Sequence, residues 1–150
     1  MTVSYEQVFS RFLGKITDYN LALLEDSDLF ELECDWLHSA CGNARVRRKL
    51  KSLLLDDDVA EISFELRNSV DEFADTEWII EIIGLGMAIA WLQPQVDSII
   101  NTAPFIGGKE EKRILNNHEA MVDRLASMKV EQDKLIRDYG YFYNSYIKEG

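Results

Sequence analysis

From Trp78 to Leu92 the chain runs WIIEIIGLGMAIAWL, apolar at almost every position, with Glu81 its single charge. A helix that is apolar nearly all round must be buried all round. The run is too long for a buried strand and has no turn signal inside it. It is also too short to cross a bilayer, which takes about 20 apolar residues. The pattern therefore predicts a central helix with the other elements laid against it. Asp75 and Thr76 stand before it as N-cap candidates, and Glu77 falls in the first turn, where a negative charge suits the helix dipole. Pro94 is expected to kink the helix near its end, with Ile99 and Ile100 extending it before a loop from Asn101 to Gly108.

Other segments repeat at helical spacing. Ser4 and Gln7 have the separation of a capping box, and Val8, Phe9, Phe12, Leu13 and Ile16 follow on one face. A turn from Thr17 to Asp26 leads to Ser27, the next N-cap candidate. Leu29, Leu32, Trp36, Leu37 and Ala40 then predict a second helix, which Gly42-Asn43 stops or bends. The last helix is expected from about Lys109 to Tyr139. Ile114, His118, Met121, Leu125, Met128, Gln132, Leu135 and Tyr139 recur by fours and threes, the 3.5-residue seam of long packed helices. Between Val59 and Arg67 the period changes to two: Ala60, Ile62, Phe64 and Leu66 alternate with polar residues. That predicts a half-buried strand. With no second strand evident, it is expected either to cover the helices or to pair with a neighbouring subunit, which makes Ile62 and Phe64 candidate interface residues. The fold class is thus mainly α: one domain over residues 1–150, with four to five helices around a central apolar helix, a long C-terminal helix and one short extended or β segment.

Charge refines this picture. The net charge is −11, but residues 45–54 carry five basic groups and no acidic one, while residues 55–75 carry eight acidic groups and one basic. An acidic surface disfavours tight binding of nucleic acid, whose affinity rests on Lys and Arg at the phosphates. Arg45, Arg47, Arg48, Lys49 and Lys51 form a basic patch. It reads first as the solvated end of a helix facing acidic neighbours, and second as a phosphate- or partner-binding site. No aromatic residue interleaves with these cations, so stacking of single-stranded bases there is not expected. Cys34 and Cys41 lie seven residues apart on one helix, about 10 Å along its axis. That is beyond disulfide reach, so both are expected free and buried, as in a reducing compartment. No signal peptide, transit peptide or membrane span is read from the sequence.

No residue cluster names a reaction. His38 and His118 lie in no nucleophile or metal motif and read as polar groups beside packed faces. Asp56-Asp57-Asp58 lacks the alternating ligands and glycine bend of a calcium loop. Gly84-Leu85-Gly86 has Ile89 where a dinucleotide fingerprint needs a third glycine, so close helix–helix approach is its expected role. The chain is read as a non-enzyme without cofactor or metal. Its other distinctive feature is aromatic: Tyr139, Tyr141, Phe142, Tyr143 and Tyr146 crowd the C-terminus. Aromatic side chains with polar tips suit interfaces, and residues 140–150 are taken as an aromatic tail.

Three stretches together resemble a family. SYEQVFSRFLGKITDYNLALL at the N-terminus, EIIGLGMAIAWLQPQVDS in the centre, and ILNNHEAMVDRL with DYGYFYNSY at the end are similar to small head–tail connector (neck or adaptor) proteins of tailed bacteriophages. The resemblance covers most of the chain and is weak over Arg45 to Phe73; Ile114-Leu115 replaces the aromatic pair usual in the family. It implies a structural virion protein that forms a homo-oligomeric, dodecameric ring between portal and tail. It further implies contacts to the portal protein and to tail or further neck proteins, and DNA passing the lumen without specific binding. The location implied is the virion neck, assembled in the host cytoplasm, with no membrane partner. Two readings from other classes stand beside it: a small acidic binding protein of phage or host, acting as an inhibitor or regulator, and, behind that, a small enzyme.

Overall fold

The computed structural model describes residues 1–16, 21–102 and 107–140. In chain order the elements are β1 (Thr2–Ser4), α1 (Tyr5–Leu13), a 3-10 turn (Leu21–Leu23), α2 (Asp26–Cys41), α3 (Ala44–Arg47), β2 (Leu50–Asp56), β3 (Glu61–Leu66), α4 (Glu72–Thr102) and α5 (Gly108–Asp138). α4 is the axis: α1, α2 and α5 pack on it, and the three-stranded antiparallel sheet meets α1 and α4 through β1. Ile79, Ile82, Ile83, Leu85, Met87, Ala88 and Leu92 on α4 are all but sealed from solvent. Ile89 is half-buried at the edge of this core.

The start of α4 differs from expectation, while its continuation past Pro94 through Ile99 and Ile100 matches it. The helix begins at Glu72, ahead of Asp75 and Thr76, because the Asp71 carboxylate accepts from the Ala74 N–H at 2.6 Å and caps it. Asp75, freed from capping, turns inward. Pro94 lies inside the helix, which continues to Thr102; the Gln95 side-chain amide donates to the Trp91 carbonyl one turn back. With 31 residues, α4 is long and apolar enough to span a bilayer by length and composition. The shortness of the Trp78–Leu92 run therefore does not decide its role; its cover does, since 67% of its most apolar window is buried inside the protein.

α1 carries the full capping box expected of Ser4 and Gln7. α2 starts one residue before Ser27, with Glu25 at the cap position and no side-chain cap bond. Leu37 and Ala40 of its expected face are buried, Leu29 and Trp36 are half-buried, and Leu32 is exposed. Every residue of the α5 seam from Ile114 to Tyr139 is buried or half-buried, and Ile136 joins it.

The largest correction concerns the sheet. The period-two segment is indeed a strand, but β3 is the central strand, paired with β1 through Val3↔Ile62 and with β2 through Leu53↔Phe64. Both of its partners lie within the chain. Arg45 to Leu54 is not a continuous helical end: only Ala44–Arg47 is helical, and β2 follows. An irregularity between Leu50 and Ser52 breaks the ladder's register. The extra residue of a bulge destroys strict alternation, so Leu50, Leu53 and Leu54 fall by chance at helical spacing and hide the strand.

Candidate interaction surfaces

The C-terminal end of α5 is anchored. The Tyr139 ring stacks on Trp78 with centroids 5.0 Å apart, and its hydroxyl donates to Asp75 Oδ1 at 2.5 Å. Asp75, wholly buried, also accepts from Ser69 Oγ at 2.5 Å and from the Val70 N–H at 3.0 Å. The Trp78 indole donates to the Leu135 carbonyl at 3.1 Å. Burial and then the bond to Asp75 raise the Tyr139 phenol's pKa, so it remains a donor. Gly140 follows with φ +72°; a Cβ there would lie 2.7 Å from the Asn68 carbonyl oxygen. Tyr139 is therefore half-buried packing against its own core rather than a free interface residue. A cavity of about 470 Å³, lined by Trp78, Glu131, Lys134, Leu135, Asp138 and Tyr139, opens at this anchor. Tyr141, Phe142, Tyr143 and Tyr146 lie outside the described residues.

Ile62 and Phe64 belong to the chain's own core. They are 0% and 2% exposed, facing the helices from the middle strand. Both alternation and burial were legible in the sequence; the strand paired beside β3 was not, because β1 lies some 60 positions away from it.

The basic patch divides. Arg45 pairs with Asp133 of α5. Arg47 Nε donates to the Cys41 carbonyl at 2.7 Å and so satisfies the end of α2. The Lys49 carbonyl accepts from the Arg67 N–H at 3.0 Å across the sheet. Arg48 and Lys51 stay exposed at the entrance of β2. Two of the five cations are thus structural, and the remaining exposed ones sit beside a sheet edge.

Two polar arrangements had no sequence signal. In the first, Asp57 in the β2–β3 turn accepts from the Tyr5 hydroxyl at 2.5 Å and lies 3.1 Å from His38 Nε2 through each of its oxygens. The Tyr5 bond, chiefly, holds the Asp57 carboxyl below its usual range, while burial and Asp57 push the Tyr5 phenol upward. The cluster pins α1, α2 and the hairpin turn together. It contains no activated nucleophile: burial first, then nearby carboxylates, raise the Cys34 thiol to about 11, and burial raises Cys41 to about 12. Both cysteines are free, Cys41 buried and Cys34 half-buried. In the second, Glu33 of α2 is 5% exposed and its Oε2 has no hydrogen-bond partner; burial pushes its carboxyl up to about 7. Elsewhere Glu81 is held by Lys15 and Arg11, whose bonds outweigh its burial and lower its pKa. His118 Nε2 lies 3.1 Å from the Val96 carbonyl, a polar group beside a packed face.

Among the described residues, no group of three or more His, Cys, Asp and Glu side chains is placed to hold a metal ion. Compared with protein-family models, curated proteins and solved structures, the chain has no match in any of the three.

Proposed function

We propose that this chain is a non-enzymatic structural protein of a tailed-phage virion, a head–tail connector that forms a dodecameric ring with other copies between portal and tail. DNA passes the lumen of this ring without specific binding. The observation that carries the reading is the anchored exit of the chain at Tyr139-Gly140. Sequence similar to that of connector proteins there leads into Tyr141, Phe142, Tyr143 and Tyr146, four aromatic residues after a 31-residue helix. A rigid point of departure lowers the entropy lost when an adjoining segment docks. Buried aromatic side chains are also the usual anchors of interfaces. The other stretches that carry the resemblance build α1 and the core of α4, so the working parts of this protein are its surfaces.

Deleting residues 141–150 tests this, since Tyr139 and Gly140 keep their own contacts. The truncated chain is expected to remain helical by circular dichroism and to lose co-sedimentation with portal-containing phage heads that the full chain binds. Binding at full occupancy by the truncated chain, or no binding by the full chain, would overturn the proposal. A full chain that instead binds a single other protein one to one would favour the acidic inhibitor reading.

A further inference from the structure

Between α2, α4 and α5 a cavity of about 490 Å³ opens to the surface. The buried residues of its lining are Ala40, Gly86 and Gln132, one from each helix. Gln132 is 8% exposed, yet its side chain makes no hydrogen bond among the described residues. Its amide is not sealed in the core as the Glu33 oxygen is; it opens on the cavity. A buried side-chain amide is normally spent on a partner. The other amides of the lining are spent so: Asn43 Oδ1 accepts from the Arg45 N–H at 2.9 Å, and Gln93 joins Asp97 to Lys129 at 3.1 and 2.8 Å. Ser39 and Asp35, one turn apart on α2, complete the polar lining, and neither side chain has a hydrogen bond or ion pair among the described residues.

These groups select a class of occupant. No cation lines the cavity, and Asp35 repels an anion. A purely apolar occupant would leave the Gln132 amide covered and unpaired, which is costly. A cation with several N–H donors meets all three free groups. The charge of the surroundings has the same sign: Asp35 also borders a second depression with Asp28 and Glu31. Asp28 to Asp35 spans about 10 Å of α2, more than one head group covers.

We propose that the cavity is a socket for an arginine side chain carried on a basic segment of a partner protein. A guanidinium has donors enough for the Asp35 carboxylate, the Ser39 oxygen and the Gln132 carbonyl, and its flat face stacks on aromatic rings. Trp36, whose ring centroid lies 5.4 Å from that of Phe12, brings such a ring to the lining. Ile89 and Pro94 supply apolar wall for the aliphatic stem. Further cations on the same segment meet Glu31 and Asp28. None of this involves residues 141–150, so failure here and failure of the aromatic tail to dock are separate results.

Nuclear magnetic resonance titration of the full chain with acetyl-alanyl-arginyl-alanine amide gives the test. Saturable binding with a Kd of about 1 mM or tighter is expected, the range open to one seated side chain. The Gln132 side-chain amide and the Trp36 indole should shift together. The citrulline counterpart, of the same shape without the charge, should bind about tenfold more weakly or worse. Asp35→Asn and Gln132→Met should each weaken the arginine peptide by about tenfold, and Gln132→Met should unfold in urea at the wild-type midpoint or above it. No saturable binding, equal binding of the citrulline peptide, or binding indifferent to either variant overturns the proposal. A Gln132→Met protein that is less stable than the wild type also overturns it, since the amide would then serve the fold. Free arginine that binds as tightly as the capped peptide would overturn the assignment to a protein chain.

Discussion

Gly86 of α4 faces Ala40 of α2 so closely that a Cβ on Gly86 would stand 2.8 Å from the Ala40 Cβ, with the Gln132 side chain of α5 at 3.3 Å. Three helices meet at that point. Two residues earlier, Gly84 faces α1, where a Cβ would meet Arg11 Cγ at 3.1 Å. The glycine pair thus lets α4 be approached from two sides.

Different costs follow for the two glycines. Gly86→Ala forces one packed backbone away from another and is expected to destabilise by about 1–3 kcal/mol, the usual cost of overpacking. Gly84→Ala meets a side chain that can move, and the better helix propensity of alanine, about 1 kcal/mol, offsets most of the strain. Urea titration of both variants measures this. Equal losses would show that the Ala40 contact does not limit the approach of α2.

Ile83 is 1% exposed at the middle of α4. Ile83→Ala is expected to cost about 2–5 kcal/mol, as deletions of buried aliphatic groups do. A loss below about half a kcal/mol would place the residue outside the core, since surface changes fall in that range.

The Tyr139–Asp75 bond can be separated from the Tyr139 ring. Tyr139→Phe keeps the stack on Trp78 and removes one of three donors to a buried carboxyl, at an expected cost of about 1–2 kcal/mol. Tyr139→Ala also loses the ring and should cost more. Thermal unfolding followed by circular dichroism ranks the two. A phenylalanine variant as stable as the wild type would assign the anchor to ring packing alone.

Glu33 makes stability depend on pH. Its folded value of about 7 lies above the ordinary 4.5, so between these values the folded state binds more protons than the unfolded one. Stability from this group is therefore full below about 4.5, falls as pH rises toward 7, and is flat above. Glu33→Gln removes the cost of ionisation. It should stabilise the protein above pH 7 by about 1–2 kcal/mol, a figure reduced for residual hydration of the carboxylate, and change little at pH 4. Denaturant titrations of both proteins across that range supply the comparison. A constant difference between them would remove Glu33 as the source.

The helices were legible because their determinants are local. The Ser4–Gln7 capping box, the near-continuous apolar run of α4 and the fours-and-threes of α5 each lie within a few turns of one segment, and periodicity reports which side is buried. The glycine pair was legible as a site of close approach for a related reason: nothing else fits two glycines in a buried helix. What those elements touch is a different kind of fact. Three residues at the N-terminus become the partner of β3, Asp75 gives up a cap to receive Tyr139 from 64 positions away, and Arg47 closes the end of α2. The bulge before Ser52 erased the alternation that would have announced β2, and Glu33 carries no sign in the sequence that it is left without a partner. The sequence by itself determined that α1, α2, α4 and α5 exist and which sides of α1, α4 and α5 are apolar, since these follow from backbone propensity and spacing. Only the tertiary structure decided which strand is central, which edge is open and which charges remain unspent. Those depend on pairings between distant segments, whose choice rests on packing the whole core at once.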